Sequence, residues 1–250
     1  MERKESQIMT VNGITDKVSP NYTFYEFSKR TFDIVFSCAF LLISSPVILV
    51  TAILMQLESP GPVFYIQKRV GRYGKTFHLV KLRSMPPNAE NNGPVLSRED
   101  GDGRVGRIGQ FIRKSKIDEL MQFINVLLGH MSVVGPRPER PFFVKLFSAQ
   151  FPEFDKRHSV KPGITGLAQF KKLDAFQAFN RLRLDIFYID HRSFGFDMKI
   201  IAHTAAFCIE NLFKAGENFN SNNGEFKNRA IKSNNGSLMR KDSKEKATTV

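Results

Sequence analysis

Between Ile34 and Met55 lie about 22 consecutive residues without a charged side chain, enough for a helix to cross the hydrocarbon core of a bilayer. Such a segment must satisfy its own backbone hydrogen bonds, and it fixes where the flanking chain meets the membrane surface. Pro46, near the middle, removes the hydrogen bond to the carbonyl of Leu42, while Ser44 and Ser45 offer hydroxyls for the groups so released. Lys29 and Arg30 precede the run; Lys68, Arg69, Arg72, Lys75, Lys81 and Arg83 follow it. Positive charge on both flanks marks both ends as cytoplasmic. One straight span cannot place both ends inside. A helix broken at Ser45-Pro46 that dips in and returns to the same face can, and a kinked spanning helix is the alternative.

A net charge of +13 favours anionic partners: phosphorylated lipids, nucleotides or nucleic acid. A nucleic-acid-binding protein has no use for an uncharged stretch of bilayer length, so no nucleic acid is expected. Cys38 and Cys208 lie far apart in apolar stretches, and the histidines His78, His130, His158, His191 and His203 share no ligand-like spacing. Neither a disulfide framework nor a transition-metal site is expected. Residues 1–26 read as a flexible lead-in without signal-peptide features. Residues 216–250, rich in Asn, Ser, Lys and Gly, read as a disordered basic tail. Between them, residues 27–215 suffice for one domain.

Candidate chemistry concentrates in Arg113–Pro141, RKSKIDELMQFINVLLGHMSVVGPRPERP. Leu120, Phe123, Ile124, Leu127 and Leu128 recur at the spacing of an amphipathic helix. Ser115 fits as its N-cap, with Asp118 and Glu119 in the first turn, where the helix dipole favours negative charge. Ser115-x-x-Asp118 also fits a plain capping box. Alternatively the two carboxylates, pointing about 100° apart, meet one ligand near the helix end, one as nucleophile or metal ligand and the other handling a proton. In Gly135–Pro141 three prolines fix the backbone and exclude a regular helix interior or central strand. A rigid loop there lets Arg137 grip a planar oxyanion such as phosphate with little entropy loss. A solvated turn is the other reading.

Elsewhere, Val63–Ile66 and Phe77–Val80 flank a glycine-containing turn and read as a small hairpin. Residues 86–106 read as a mobile loop near the site. Phe142, Phe143, Leu146, Phe147, Phe151 and Phe154 fall largely on one helical side, as an interfacial helix or ordinary core. Residues 157–169 read as a basic loop, and Leu182, Ile186, Ile189 and the run 198–213 as two further helices. The fold class is α+β and predominantly helical: one re-entrant membrane helix over about residues 30–57, interfacial amphipathic helices and a small β-hairpin around a cytoplasmic active site.

The run KSKIDELMQFINVLLGHMSVVGPRPERP resembles the core signature of the bacterial sugar transferases, the monotopic polyprenyl-phosphate phosphoglycosyl transferases. KRTFDIVFSCAFLLISSPVILVTAILMQLESPGPVFYIQKRVGRYGKTFHLVKLRSM upstream and RHSVKPGITGLAQ downstream are similar to further family blocks, so the likeness covers roughly Phe27 to Phe213. It implies transfer of a sugar 1-phosphate from a UDP-sugar to undecaprenyl phosphate at the bacterial inner (cytoplasmic) membrane, releasing UMP, with the active site facing the cytoplasm. In that scheme Asp118 is the nucleophile, forming an aspartyl-phosphosugar intermediate, and a Mg²⁺ ligand; Glu119 helps bind the ion or handles a proton. Arg113, Arg137, Lys81 and Arg83 bind substrate phosphate, Lys161 and Gln169 contact nucleotide or sugar, Ser45 and Pro46 set the membrane bend, and Arg30 anchors it at the headgroups. Met121, His130 and Leu167 depart from the family pattern, which has proline, an acidic residue and an aromatic there. A catalytically silent membrane scaffold of a glycan-assembly complex is the rival implication.

Overall fold

The computed structural model describes residues 9–11, 14–16, 20–85, 106–170 and 177–210. Two short antiparallel strands, β1 (Met9–Val11) and β2 (Ile14–Asp16), lead into a 39-residue helix, α1 (Pro20–Glu58). Within the expected lead-in, Thr10, Val11, Ile14 and Thr15 are β-branched and suit this strand pair. The expected loop over residues 86–105 and the tail over 216–250 lie outside the described residues.

Helix α1 organises everything after it. Its buried positions Asp33, Ser37, Ser44, Thr51 and Met55 recur at four or seven residues and form one stripe, mostly polar. The outward surface is apolar, with Leu42, Ile43 and Leu57 each more than three-quarters exposed. This inverts the pattern of a water-facing amphipathic helix, and residues Phe24–Glu58 are long and apolar enough to cross a membrane. The helix is not interrupted at Ser45-Pro46, with helical backbone running on through the proline. The reason is the hydroxyl compensation read from the sequence. Ser45 Oγ donates to the carbonyl of Leu42 at 2.8 Å, the very acceptor Pro46 leaves without an N–H, and Ser44 Oγ donates to Phe40 at 2.7 Å.

After α1 comes an antiparallel hairpin, β3 (Phe64–Val70) and β4 (Thr76–Leu82), paired from Phe64↔Leu82 to Val70↔Thr76. Then follow α2 (Arg107–Lys114), a 3₁₀ turn (Ile117–Glu119), α3 (Gln122–Leu127) and β5 (Ser132–Val134). Helix α4 (Pro141–Gln150), a 3₁₀ segment (Phe154–Ser159), β6 (Gly163–Thr165) and α5 (Leu167–Phe170) come next. Helices α6 (Ala178–His191) and α7 (residues 194–210) complete the described chain. The block 157–169, expected as a loop, instead contains β6, which pairs in parallel with β5. That partner lies about thirty residues upstream, beyond the reach of local pattern. Asn125 closes the far edge of β4: its Oδ1 accepts from Val80 N–H at 3.0 Å and its Nδ2 donates to the His78 carbonyl at 2.7 Å.

Both ends of α1 rest on this body. Lys29 pairs with buried Asp197 of α7 at 2.7 Å. Arg30, expected at the headgroups, donates to the carbonyls of Val126 and Leu127 at 2.6 and 2.9 Å and so caps the C-terminus of α3. Those carbonyls end a helix, where the negative end of its dipole favours a cation, and Val126 also accepts from Gly129 N–H at 2.9 Å. At the other end Met55 packs with Leu82, Ile112 and Met121, and Glu58 Oε1 accepts from Ile108 N–H at 3.1 Å in the first turn of α2.

Between the two ends, Phe123 stacks against Phe36 and Phe40, the latter with ring centroids 4.5 Å apart. Phe123→Ala removes this joint and is expected to cost about 3–5 kcal/mol, seen as a lower thermal unfolding midpoint in nanodiscs. In α4, Phe143 and Phe147 are core, packed with Phe154 and Leu182, while Phe142 and Leu146 are exposed. One face of that phenylalanine-rich stretch is therefore core, and the other is exposed.

Candidate active site

Asp118 and Glu119 sit in the junction between α2 and α3, not in the first turn of one helix. Ser115 is the C-cap of α2, and its hydroxyl donates back to the carbonyls of Phe111 and Ile112 at 2.7 and 3.2 Å. Neither the N-cap nor the capping box expected at Ser115 forms. Lys116 then takes a left-handed conformation (φ 60°) that ends the helix. Ile117 and Met121 bracket the turn and pack into the cluster around Met55, Leu82 and Ile112. The two carboxylates are thus fixed by apolar anchors on either side.

Lys81, from β4, lies 3.0 Å from Glu119 Oε1 and 4.0 Å from Asp118 Oδ2. Arg137 reaches the same glutamate in a fork: Nη2 donates to Oε1 at 2.7 Å, and Nη1 lies 3.5 Å from Oε2. Four of the residues expected at the site are therefore brought together. Arg113 stands in the last turn of α2, five residues before Asp118. Arg83 is elsewhere: its buried guanidinium donates to the carbonyls of Ser59 and Pro60, holding the turn that follows α1. Gln169 Nε2 donates to the Ile164 carbonyl at 2.8 Å, a bond within the β6–α5 connection. Lys161 lines a separate cavity with Arg30 and Asp33. Short-range sequence context gave no sign of the backbone acceptors that hold Arg83 and Gln169.

The loop that carries Arg137 is pinned at every carbonyl from Pro136 to Glu139. Pro136 accepts from Gly163 N–H, Arg137 from Arg157 Nη2, Pro138 from Arg69 Nη1 and Glu139 from Val70 N–H, each at 2.9 Å. Prolines lack donors, so acceptors must secure the segment. The loop also lies so close to β6 that a Cβ on Gly163 would collide with the nitrogen of Gly135. Beneath it is a buried ion network the sequence did not reveal. Glu139 meets Arg181 at 2.5 Å and Arg69 and Arg157 at 3.9 Å, and Arg157 pairs with Asp185 at 2.7 Å. Arg157, only 4% exposed, links this network to the loop backbone.

The electrostatics separate the two adjacent carboxylates. Burial raises Asp118 to about 6, assisted by the Glu119 charge and opposed by Lys81. Glu119 is equally subject to burial, yet Arg137 and Lys81 hold it well below the usual carboxylate range. Burial also lowers the Lys81 ammonium, against the pull of Glu119 and Asp118. Asp118 Oδ1 is buried with no hydrogen-bond partner. The arrangement presents one uncommitted carboxylate oxygen beside a permanently ionised glutamate and two cations, a set suited to displacement at phosphorus. Among the described residues no three His, Cys, Asp or Glu side chains gather as a metal cage.

Residues 24–211 match the family model described as bacterial sugar transferase. Over 183 residues the chain is 44% identical to the UDP-N-acetylgalactosamine-undecaprenyl-phosphate N-acetylgalactosaminephosphotransferase of Aeromonas hydrophila, aligning 72% of this chain with 43% of that protein. It is 52% identical over 129 residues to a putative undecaprenyl-phosphate N-acetylgalactosaminyl 1-phosphate transferase of Bacillus subtilis, covering 52% of this chain and 72% of the relative. It is 39% identical over 182 residues to the UDP-glucose:undecaprenyl-phosphate glucose-1-phosphate transferase of Caulobacter vibrioides, covering 70% and 67%. The chain thus spans less than half of the Aeromonas protein and about two thirds or more of the other two. A match that extends from α1 through the carboxylate turn and the arginine loop to α7 establishes that this chain belongs to the bacterial sugar transferase family.

Proposed function

We propose that the chain transfers a sugar 1-phosphate from a UDP-sugar to undecaprenyl phosphate, releasing UMP, as the initiating step of cell-surface glycan biosynthesis. The named relatives support the reaction class. The observation that carries it to these residues is the uncommitted, buried Asp118 oxygen next to Lys81 and the Arg137 loop. Asp118 attacks the β-phosphorus; the bond from that phosphorus to the bridging oxygen breaks, and UMP leaves with the oxygen. An oxygen of the lipid phosphate then attacks the same phosphorus, the bond to Asp118 breaks, and the carboxylate is regenerated. Both steps are phosphoryl transfers governed by positioning and charge neutralisation. Arg137 and Lys81 face the departing and entering oxygens, while Glu119, too acidic to accept a proton readily at neutral pH, holds both cations in place.

Mg²⁺ fits this donor set as an ion shared with the substrate. It binds through one or two carboxylates plus phosphate oxygens, and Asp118 Oδ1 offers such a ligand. Glu119 joins only if Arg137 or Lys81 yields an oxygen. Bound there, the ion would neutralise phosphate charge.

The chain sits in the cytoplasmic membrane with this site facing the cytoplasm. Support for a helix that enters and leaves by one face comes from α1 itself, whose two ends both pack on the same body while its outer surface is apolar. Exposed Phe142 and Leu146 extend that apolar surface as an interfacial element. UMP release from a panel of UDP-sugars with undecaprenyl phosphate and Mg²⁺ tests the reading, and no release with any donor sinks it.

The raised Asp118 also sets a pH dependence. Only the carboxylate attacks, so the rate of adduct formation from donor alone is expected to be flat above about pH 6 and to fall about tenfold per unit below it. A carboxylate of ordinary acidity would hold its rate down to about pH 4. Quenched-flow mass spectrometry across pH 4.5–8 distinguishes the two.

A further inference from the structure

A cavity of about 30 Å³ lies beside the first turns of α1, among Lys29, Arg30, Asp33, Ser132, Lys161 and Arg192. Asp118, Glu119 and Arg137 do not line it. Most of its charged groups are already committed. Lys29 holds Asp197 at 2.7 Å, Arg30 caps α3, Asp33 accepts from Val133 N–H at 3.0 Å, and Arg192 donates to the Ile189 carbonyl at 3.0 Å. The remaining carboxylate, Glu26, lies 3.9 Å from both Arg72 and Arg192.

Two groups stand apart. Lys161 makes no hydrogen bond or ion pair with any described residue, although its ammonium and that of Arg30 flank the same spot: a Cβ on Gly129 would lie 3.9 Å from Lys161 Nζ and 3.6 Å from Arg30 Nη2. The Ser132 hydroxyl is buried beside Asp33 and makes no hydrogen bond of ordinary geometry. Burial and the neighbouring Arg30 charge weigh against the Lys161 ammonium more than Asp33 and Glu26 support it, so a further anion would stabilise it. The enclosed space takes a single phosphate group and not a whole nucleotide or sugar. Exposed Phe24, Phe27 and Val35 surround this end of α1, which puts the cavity at headgroup depth if α1 lies in the membrane as proposed above.

We propose that this cavity is a phosphate-oxyanion site for the headgroup of an anionic membrane lipid, with Lys161 and Ser132 as its ligands and Arg30 as a fixed second charge. Occupied, it ties the entry of α1 to the body of the protein through a lipid distinct from either substrate.

Full-length protein in phosphatidylcholine nanodiscs, with and without phosphatidylglycerol, is released into native mass spectrometry. The wild type is expected to retain one phosphatidylglycerol. Lys161→Gln lowers that adduct about tenfold, as loss of one charge-assisted hydrogen bond would, while Lys161→Arg and the exposed α4 control Lys145→Gln retain it. Circular dichroism confirms that each variant is folded. Equal adduct on wild type and Lys161→Gln, or no adduct on the wild type, overturns the site. An inorganic phosphate adduct that forms in phosphate buffer and is not displaced by phosphatidylglycerol overturns the lipid assignment. Failure of the chain to enter nanodiscs overturns the membrane placement of α1 instead, and is seen before any adduct is measured.

Discussion

Asp118→Asn is expected to abolish the phosphosugar adduct formed from donor alone and to lower UMP release by about 10⁴-fold or more. The amide has nearly the same shape but is no nucleophile. The variant should also fold at least as well as the wild type. Asp118 is raised to about 6 because burial disfavours its charge, so between its ordinary value and about 6 the folded protein binds more protons than the unfolded chain and loses stability as pH rises. A neutral asparagine removes that cost at pH 7, while Lys81 keeps Glu119 at 3.0 Å. Loss of activity with an unchanged or higher unfolding midpoint therefore separates chemistry from misfolding. A catalytically silent scaffold predicts the opposite: Asp118→Asn would support glycan assembly in cells as well as the wild type does. An adduct that persists in the variant would send the mechanism to another residue.

The second large effect concerns the forked arginine. Arg137→Ala is expected to lower kcat/KM for the donor by about 10²–10³, the range for loss of one positioned charge at a developing oxyanion. Stability is expected to fall as well, since Glu119, only 12% exposed, keeps Lys81 alone, so folding is verified for each variant before its activity is read. Arg137→Lys should recover only part of the loss, because an ammonium cannot reproduce the two-pronged geometry. Steady-state kinetics in nanodiscs with saturating lipid phosphate provide the measurement. If Arg137→Ala keeps wild-type kcat/KM, the bidentate pair with Glu119 is structural only.

What could be read from the sequence followed from how local each cause is. The apolar run, the two serines before Pro46 and the hairpin over β3 and β4 act through neighbours within a few residues, and all three are present. The proline-locked loop was legible as rigid, and Arg137 was legible as its reaching group. Ser115 was misread because a serine after a helix and one before a helix look alike when the left-handed turn at Lys116 is unknown. Arg30 and Arg83 show another limit: near a membrane or a phosphate site a cation invites an anionic ligand, and the backbone carbonyls on other elements that hold these two could not be foreseen. The network of Glu139, Arg69, Arg157, Arg181 and Asp185 joins β3, the arginine loop, the 3₁₀ segment and α6. Its members are ordinary surface-type residues until the fold brings them together, and nothing in their spacing reports it.

The inverted stripe of α1 bears on how far this protein can be pared down. Asp33 accepts from Val133, Arg30 closes α3, Lys29 neutralises Asp197, and Phe36 and Phe40 cover Phe123. A fragment starting after Glu58 would bare all four contacts at once, leaving an uncompensated carboxylate in α7 and an unsealed aromatic core. Membrane tether and catalytic framework are in this sense one object, and solubilising the reaction means redesigning the outer face of α1 while leaving its inner face in place.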